Sequence, residues 1–493
     1  MNKQVLQRLI ILTILIFALK LFFAFSQTGF TYDSYFHLRQ VESITQTGIP
    51  LFQDSLSYGG RAHLFLPAFH YLAAIFAFIF PLELVAKVLP NLLLSLLVPI
   101  AFVTIDKITN NKQAAFLSAI IAGLLPSLFH TNSFTPSSLF FPLIFIAIYG
   151  FMTLNRMPFI YILAFIVLCF THAATALLLI GFLIYLGLSL LERKKITRKE
   201  VEIMLFSLFF YVWSQFLFFK NILLSEGMSF IYQNVPPQII QVYFPPFSIA
   251  NSLLLVGIIP FVAGVIVVYK SLFYVKGKRI FFLISLAIST ASLSWFSILP
   301  SRESLTFFGL ILSLLFAQFF LEILEYMSKT KLARYKNILF SLFAILLIVT
   351  MIPFAISEAQ EQNIPTDIEI ESFKWLNNNT PEDSIVLALL EEGHMVTYYG
   401  KRKNVMDTEF GFIKNVDDKF NDVSILYNTP FHTEATDKIS KNNIDYLMFT
   451  VKAKEKYQIG TFKYHTPSCF TKVYKNEVKI YSNKCILVEV DDE

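Results

Sequence analysis

Thr31-Tyr32-Asp33-Ser34-Tyr35-Phe36-His37-Leu38-Arg39 lies just beyond the first hydrophobic run, Ile10 to Ser26. An acid, a histidine and an arginine sit close together here, beside Tyr32, Tyr35 and Phe36. On a helix Asp33 and His37 are spaced i, i+4 and share a face. A membrane supplies an apolar wall next to that face. Two readings stay open. The stretch can hold a polar reaction at a lipid surface. Alternatively it is an interfacial belt, with the aromatics at headgroup depth and Arg39 on phosphates.

The rest of the chain fits a membrane setting. It has 493 residues, 55% of them hydrophobic, with 54 Phe. Mean hydropathy is +0.59. Charged residues make up 15%, against about 25% in soluble domains. This composition describes a polytopic α-helical membrane protein with a smaller polar part. The segment Met1 to Gln7 carries Lys3, and Ile10 to Ser26 is apolar apart from Lys20, so the run reads as an uncleaved first span. A span needs about 20 apolar residues. Such runs lie near 9–26, 84–105, 114–130, 137–154, 158–171, 173–191, 201–219, 247–268, 280–299, 304–325 and 337–356, which predicts about eleven spans.

The basic connections are Arg193 to Lys199, Lys270 to Arg279, Lys329 to Lys336 and, more weakly, Lys107 with Lys112. All fall on one side when the N-terminus is cytoplasmic. That orientation places the Asp33 stretch, the connection from Lys220 to Pro246 and the C-terminal part outside the cell membrane. Residues 27–83 then form a large first outer loop. Within it Pro67 to Phe80 is apolar over only about 14 residues, which suits an interfacial or re-entrant helix. His70 on that helix reads as a headgroup-level residue.

Residues 1–356 are expected to be the transmembrane domain, and 357–493 an extracytoplasmic soluble α/β domain. Charges become frequent after Ser357. Strand-like runs appear at Ser384–Leu390, Tyr446–Val451, Lys479–Tyr481 and Ile486–Val490. Helix-like runs appear at Ile368–Leu376 and Ala435–Ile439. Cys469 and Cys485 can bond on an oxidising side or remain free thiols, while Cys169 sits in an apolar run as packing. No P-loop, glycine-rich nucleotide motif, zinc-finger spacing or basic aromatic strip for nucleic acid is present.

Ionisable residues near membrane depth are candidates for function because burying them is costly. Asp33 comes first, as a general base or a metal ligand. Asp54, in Phe52-Gln53-Asp54-Ser55-Leu56-Ser57-Tyr58-Gly59-Gly60-Arg61, reads either in the same way or as a turn residue capping local amides. His130 and Asn132 can reach a phosphate or sugar hydroxyl, or cap a helix end. His172 is either functional or a hydrogen-bonded turn histidine. Glu226 offers a further acid on the long outer connection, or a solvated loop carboxylate. Arg302, at the start of a span, suits a phosphate through its paired donors, or else snorkels or pairs with Glu303. Glu391-Glu392-Gly393-His394, then Tyr398 to Arg402, reads as a turn and short polar helix that either touches an acceptor or lies on the surface.

Asp33-Ser34-Tyr35-Phe36-His37-Leu38-Arg39 resembles the first outer loop of oligosaccharyltransferase catalytic subunits, where an aspartate precedes aromatics and His-x-Arg. Asp54 with Ser-Tyr-Gly-Gly-Arg resembles the continuation of that loop. The layout as a whole is similar to the C-type glycosyltransferase (GT-C) fold, which includes oligosaccharyltransferases, protein O-mannosyltransferases and lipid A aminoarabinose transferases. The resemblance implies a sugar donor on polyprenyl phosphate or pyrophosphate and a protein or glycan acceptor. It makes Asp33 the catalytic carboxylate, Arg302 a contact of the lipid-linked phosphate and Glu226 the acid of the flexible outer loop. Gly393-His394-Met395-Val396-Thr397-Tyr398 resembles the sequence just after the Trp-Trp-Asp-Tyr-Gly signature.

Two departures stand out. Leu389-Leu390-Glu391-Glu392-Gly393 occupies the place of that signature. His130-Thr131-Asn132-Ser133 occupies the place of the family's Asp-x-Asp, so the carboxylates expected for Mg2+ or Mn2+ are absent, which leaves Asp33 and Glu226 as the remaining acids for a metal. A related, metal-independent transferase therefore fits better than sequon-directed N-glycosylation. The overall style suggests an archaeal protein. A transporter or flippase of a lipid-linked substrate and a non-catalytic scaffold are the other readings, and the gathering of polar groups at one face favours surface catalysis.

Overall fold

The computed structural model describes residues 3–226, 240, 248–274, 277–411 and 413–485, with helix side chains 222, 223, 225 and 226 left aside. The chain forms two compact units. One takes in residues up to Gln27, then Leu66–Phe218 and the described part of Gln241–Gln362. The other takes in Thr28–Phe65, a stretch from Phe219, and the residues from Asn363 onward. Residues 27–83 are thus shared between the units.

The first unit is helical. Lys3–Phe25, Leu82–Thr109, Ala173–Leu191, Arg198–Asn221, Ser301–Ser328 and Lys331–Gln360 are the 6 stretches long and apolar enough to cross a membrane among the described residues. Ile249–Val256 and Ile258–Phe273 meet at 93° and bring the number up to 7 when counted as one span. The bend falls on Gly257, whose φ of 90° lies in the left-handed region that glycine tolerates. Each stretch expected as a span holds a helix among the described residues, but the count of about eleven rested on more than the helices themselves. Lys112–Leu124, Ser137–Met152 and Pro158–Cys169 have only 13, 16 and 12 residues. At 1.5 Å per residue they reach about 18–24 Å, short of a hydrocarbon core of about 30 Å. The apolar runs in sequence continued through the turns after these helices. Lys278–Trp295 is diluted by its basic first turn and its serines.

Close helix packing sets this unit's geometry. A Cβ added at Gly150 would lie 2.6 Å from the backbone nitrogen of Tyr161, so the two helices meet backbone to backbone. Ala68–Ala77 is the short helix expected within 67–80. His70 on it is fully buried beside Phe69. Lys20, inside the first helix, is also fully buried; its ammonium donates to the Leu128 carbonyl at 2.6 Å and sits 4.0 Å from the Phe129 ring centre.

The second unit is built on a 5-stranded mixed sheet with the order β4-β3-β5-β7-β6. The strands are β3 Ile385–Leu387, β4 Lys403–Asn404, β5 Tyr446–Phe449, β6 Phe470–Lys475 and β7 Lys479–Asn483. β3 pairs in parallel with β4 and β5, while β5–β7 and β7–β6 are antiparallel. The hairpin β1 Gln53–Asp54 and β2 Arg61–Ala62 belongs to the same unit. Helix Asp367–Asn379 starts at a capping box of Thr366 and Glu369 and buries Ile370, Phe373 and Leu376 at helical spacing. The expected run 384–390 shortens to β3 because Leu390–Glu392 turns into a 3-10 segment. Ile486–Val490 lies outside the described residues. Cys469 and Cys485 are joined as a disulfide, and Cys169 is free and buried.

Candidate functional site

The second unit gathers its ionisable groups where the segment Thr28–Phe65 folds on residues 393–411. Helix Ser34–Thr47 begins directly after Asp33 and ends at Gly48, which has φ 81° and donates its N–H to the Ile44 carbonyl. Asp33 stands at the helix start, where the helix dipole favours a carboxylate, yet its side chain makes no cap hydrogen bond. Exposed instead, it accepts the Thr408 hydroxyl at 3.0 Å. Thr408 in turn lies 2.9 Å from His394 Nε2. Asp407 Oδ1 is 3.9 Å from the same nitrogen and 3.6 Å from an Arg61 nitrogen.

Behind this surface group is a buried network. Arg39 grips Asp54 with two nitrogens at 2.5 and 2.8 Å. Asp54 also accepts the Leu56 and Ser57 amides at 2.9 and 3.3 Å and lies 3.3 Å from His63 Nε2. His63 Nδ1 meets Arg61 at 3.0 Å. Asp407 Oδ2 accepts Ser57 Oγ at 2.7 Å and Asn404 Nδ2 at 2.9 Å. Phe36 packs between the rings of His63 and His394, at 5.2 and 5.5 Å.

Burial alone would raise the Asp54 carboxyl, but the His63 hydrogen bond and the Arg39 guanidinium hold it well below the usual carboxylate range. Asp407 is likewise lowered against its burial, by His394, Arg61 and the Asn404 and Ser57 hydrogen bonds. Burial lowers His63 and His394, opposed by Asp54 at the first and by Asp407 and Asp33 at the second.

Glu392 behaves in the opposite way. It is fully buried, and burial pushes its carboxyl up to about 7, against the Thr450 hydrogen bond and with Glu369 adding to the rise. An acid raised in the folded state contributes its stability below its ordinary value, and that contribution is lost as pH rises through about 7. Glu392→Gln mimics the neutral form and keeps an acceptor for the Leu389 amide. Its expected effect is a gain of roughly 2–3 kcal/mol over wild type at about pH 8 and little gain at about pH 5. Thermal or denaturant unfolding at the two pH values checks this, and a difference independent of pH would count against it.

The first unit holds a separate cluster. Arg302, one residue inside helix Ser301–Ser328, is hydrogen-bonded to Glu358. His130 Nε2 lies 3.4 Å from the same Glu358 oxygen. Neighbouring Glu303 accepts the Ser137 hydroxyl and lies 3.3 Å from His172 Nε2. His172 Nδ1 accepts the Ala174 amide at 3.1 Å, which leaves the ring proton on Nε2, facing Glu303.

Sequence reasoning located Asp33, His37, Arg39, Asp54 and His394, and all lie in the second unit. His37 is half-buried beside Phe36. Arg39 turns to Asp54, and Asp54 caps local amides as its turn reading expected. The segment at His394 is buried, not a surface turn. His130, Asn132, His172 and Arg302 lie in the first unit. Asn132 is fully buried, its amide nitrogen on Gln27 at 3.1 Å and its backbone N–H on Gln362 at 2.9 Å. Arg302 pairs with Glu358, while Glu303 faces His172. The Glu226 side chain lies outside the described residues. Asp407, Thr408, His63, Glu303 and Glu358 were missed as chemistry. The signal for Glu358 was an acid at the very end of an apolar run.

The resemblance implied a possible divalent cation. Among the described residues no three His, Cys, Asp or Glu side chains converge to hold one, and Asn132, whose buried Oδ1 has no hydrogen-bond partner among them, brings no charge to a cation. Among the described residues, which leave out the Glu226 side chain, no further His, Cys, Asp or Glu pair joins Asp33 to complete a cation site.

No family model matches the chain, and no curated protein matches it. Solved structures do. The oligosaccharyltransferase of Archaeoglobus fulgidus in its apo form is 13% identical, with a TM-score of 0.70 over 90% of this chain and 70% of that one. AglB of the same organism, in complex with an inhibitory peptide and a dolichol-phosphate, gives a TM-score of 0.64 at 13% identity over the same shares. ArnT from Cupriavidus metallidurans, bound to undecaprenyl phosphate, gives 0.58 at 11% identity over 97% of this chain and 98% of that one. The chain therefore shares the GT-C-like fold of these structures, and 6 or 7 of its stretches are long and apolar enough to cross a membrane among the described residues.

Proposed function

We propose that the chain is an integral-membrane glycosyltransferase that moves a sugar or glycan from a polyprenyl phosphate or pyrophosphate to a protein or glycan acceptor at the outer face of the cell membrane. The observation that carries this is the fold likeness along nearly the whole chain to AglB and ArnT, which were solved with dolichol-phosphate and undecaprenyl phosphate. In this reading the shorter apolar helices cross as well, giving about eleven spans, the N-terminus is cytoplasmic and the C-terminal residues 357–493 are extracytoplasmic.

The reaction needs a base and a phosphate clamp. Asp33, exposed and held by Thr408, takes the proton of the acceptor hydroxyl or amide. The acceptor oxygen or nitrogen bonds to the anomeric carbon, the carbon–oxygen bond to phosphate breaks, and the lipid phosphate leaves with the electron pair. Arg302 neutralises that phosphate, releasing Glu358 as it does so. Direct displacement inverts the anomeric centre.

Transfer of labelled sugar from polyprenyl-phosphate donors in membranes, with and without chelator, tests the reading. Transfer that survives chelator is expected, since the described acids do not converge. Loss with chelator would assign a cation to Asp33 and Glu226. Absence of transfer from every donor tried would overturn the assignment in favour of a transporter or scaffold.

A further inference from the structure

Glu303 has one oxygen in use and one to spare. Oε1 receives both the Ser137 hydroxyl and the His172 Nε2 proton. Oε2 is buried and, among the described residues, has no hydrogen-bond partner. A buried carboxylate oxygen without a donor is costly, so it marks a place where a donor belongs. The next residue along the helix has the complementary vacancy. Arg302 Nε is buried and has no partner among the described residues. An unsatisfied acceptor and an unsatisfied cationic donor thus stand on consecutive residues of one helix end. Neighbouring helix positions do not face each other, so one ligand that satisfies both must offer a phosphate oxygen and a separate hydroxyl, which is the chemistry of a sugar on a phosphate.

The support around Glu303 is suited to recognition. His172 is fixed in one tautomer by the Ala174 amide and held against the Phe140 ring at 5.1 Å. Ser137 opens helix Ser137–Met152. Both therefore hold Oε1 still, and Oε2 is left as a rigid, acceptor-only position that rejects a group lacking a proton to give.

Resting on the transferase reading above, we infer that Glu303, oriented by His172 and Ser137, is the subsite that accepts a hydroxyl of the sugar being transferred, while Arg302 takes the adjoining phosphate. Glu303 touches substrate here without taking part in bond making.

The test compares two lipids, polyprenyl phosphate and the same lipid carrying the sugar, by binding to the purified full chain. Glu303→Gln is expected to weaken the sugar-bearing lipid roughly 10- to 100-fold and to leave polyprenyl phosphate within about 3-fold. In wild type, one deoxy analogue of the sugar-bearing lipid should lose a similar factor, and that loss should vanish in Glu303→Gln. The deoxy series needs no mutation, so misfolding of the variant cannot mimic the result. Equal weakening of both lipids by Glu303→Gln would overturn the subsite, as would an unbroken series of deoxy donors bound like the parent. Wild type that binds polyprenyl phosphate without preferring the sugar-bearing form also overturns it but leaves the transferase reading standing. Wild type that binds neither lipid overturns both.

Discussion

Asp33→Asn is expected to lower sugar transfer on the order of 10²- to 10⁴-fold, the range a positioned general base supplies, while leaving the protein folded. The two halves of that expectation have separate grounds. Asp33 is exposed and makes no side-chain cap bond, so the substitution removes no buried partner and no helix cap. Surface changes of that kind stay within about 0.5 kcal/mol of wild-type stability. Asparagine still accepts the Thr408 hydroxyl that lies 3.0 Å from Asp33 Oδ1, so the geometry is kept and only the basicity is lost. Initial rates of labelled transfer in membranes, beside a melting curve of the purified variant, separate chemistry from folding. Thr408→Val should reduce the rate less, because it loosens the carboxylate without removing it. A fully active Asp33→Asn protein would remove Asp33 from the chemistry.

The legibility of this site follows chain distance. Asp33, His37 and Arg39 were readable because acid, histidine and arginine sit within one or two helical turns and announce themselves locally. The partner of Asp33 was not readable, because Thr408 is 375 residues away in sequence and meets it only through the fold. Asp407 and Thr408 in Met406-Asp407-Thr408-Glu409 carry no periodicity or motif that would single them out. The spans show a different failure. Apolar runs marked where helices lie, but the run of Lys112–Leu124 continues into the 3-10 turn Pro126–Leu128, so hydropathy overstated the helix. Buried charge was the weakest signal. Lys20 was seen as an interruption of the first run, and its burial against Leu128 and Phe129 depends on a second helix pair that composition does not position.

Asp54→Ala should cost the second unit about 3–5 kcal/mol, because it leaves a nearly buried cation without its partner. The Asp54 side chain is 1% exposed and that of Arg39 11%, and the pair is bidentate. Removing the carboxylate also orphans the Leu56 and Ser57 amides and takes away the group facing His63. For a unit of roughly 190 residues each kcal/mol is worth about 2–4 °C, so a fall near 10 °C in the transition of this unit is expected, with earlier proteolytic cleavage between residues 48 and 65. Asp54→Asn should fall between, since it keeps an acceptor for the two amides and loses the charge. The pH response distinguishes this from simple loss of packing. Asp54 is held below the ordinary carboxylate range in the folded state, so its contribution is present above about pH 4 and is lost as pH falls through and below that range. His63, lowered by burial, works in the same direction from about pH 6.5 downward, because the unfolded chain binds its proton more readily. Acidification should therefore destabilise wild type in two stages, and the lower stage should shrink in Asp54→Ala. Should the variant melt with wild type at neutral pH, the Arg39–Asp54 pair is not what holds the segment Thr28–Phe65 in place, and the anchoring falls to Ser57, Tyr58 and Arg61 on Asp407.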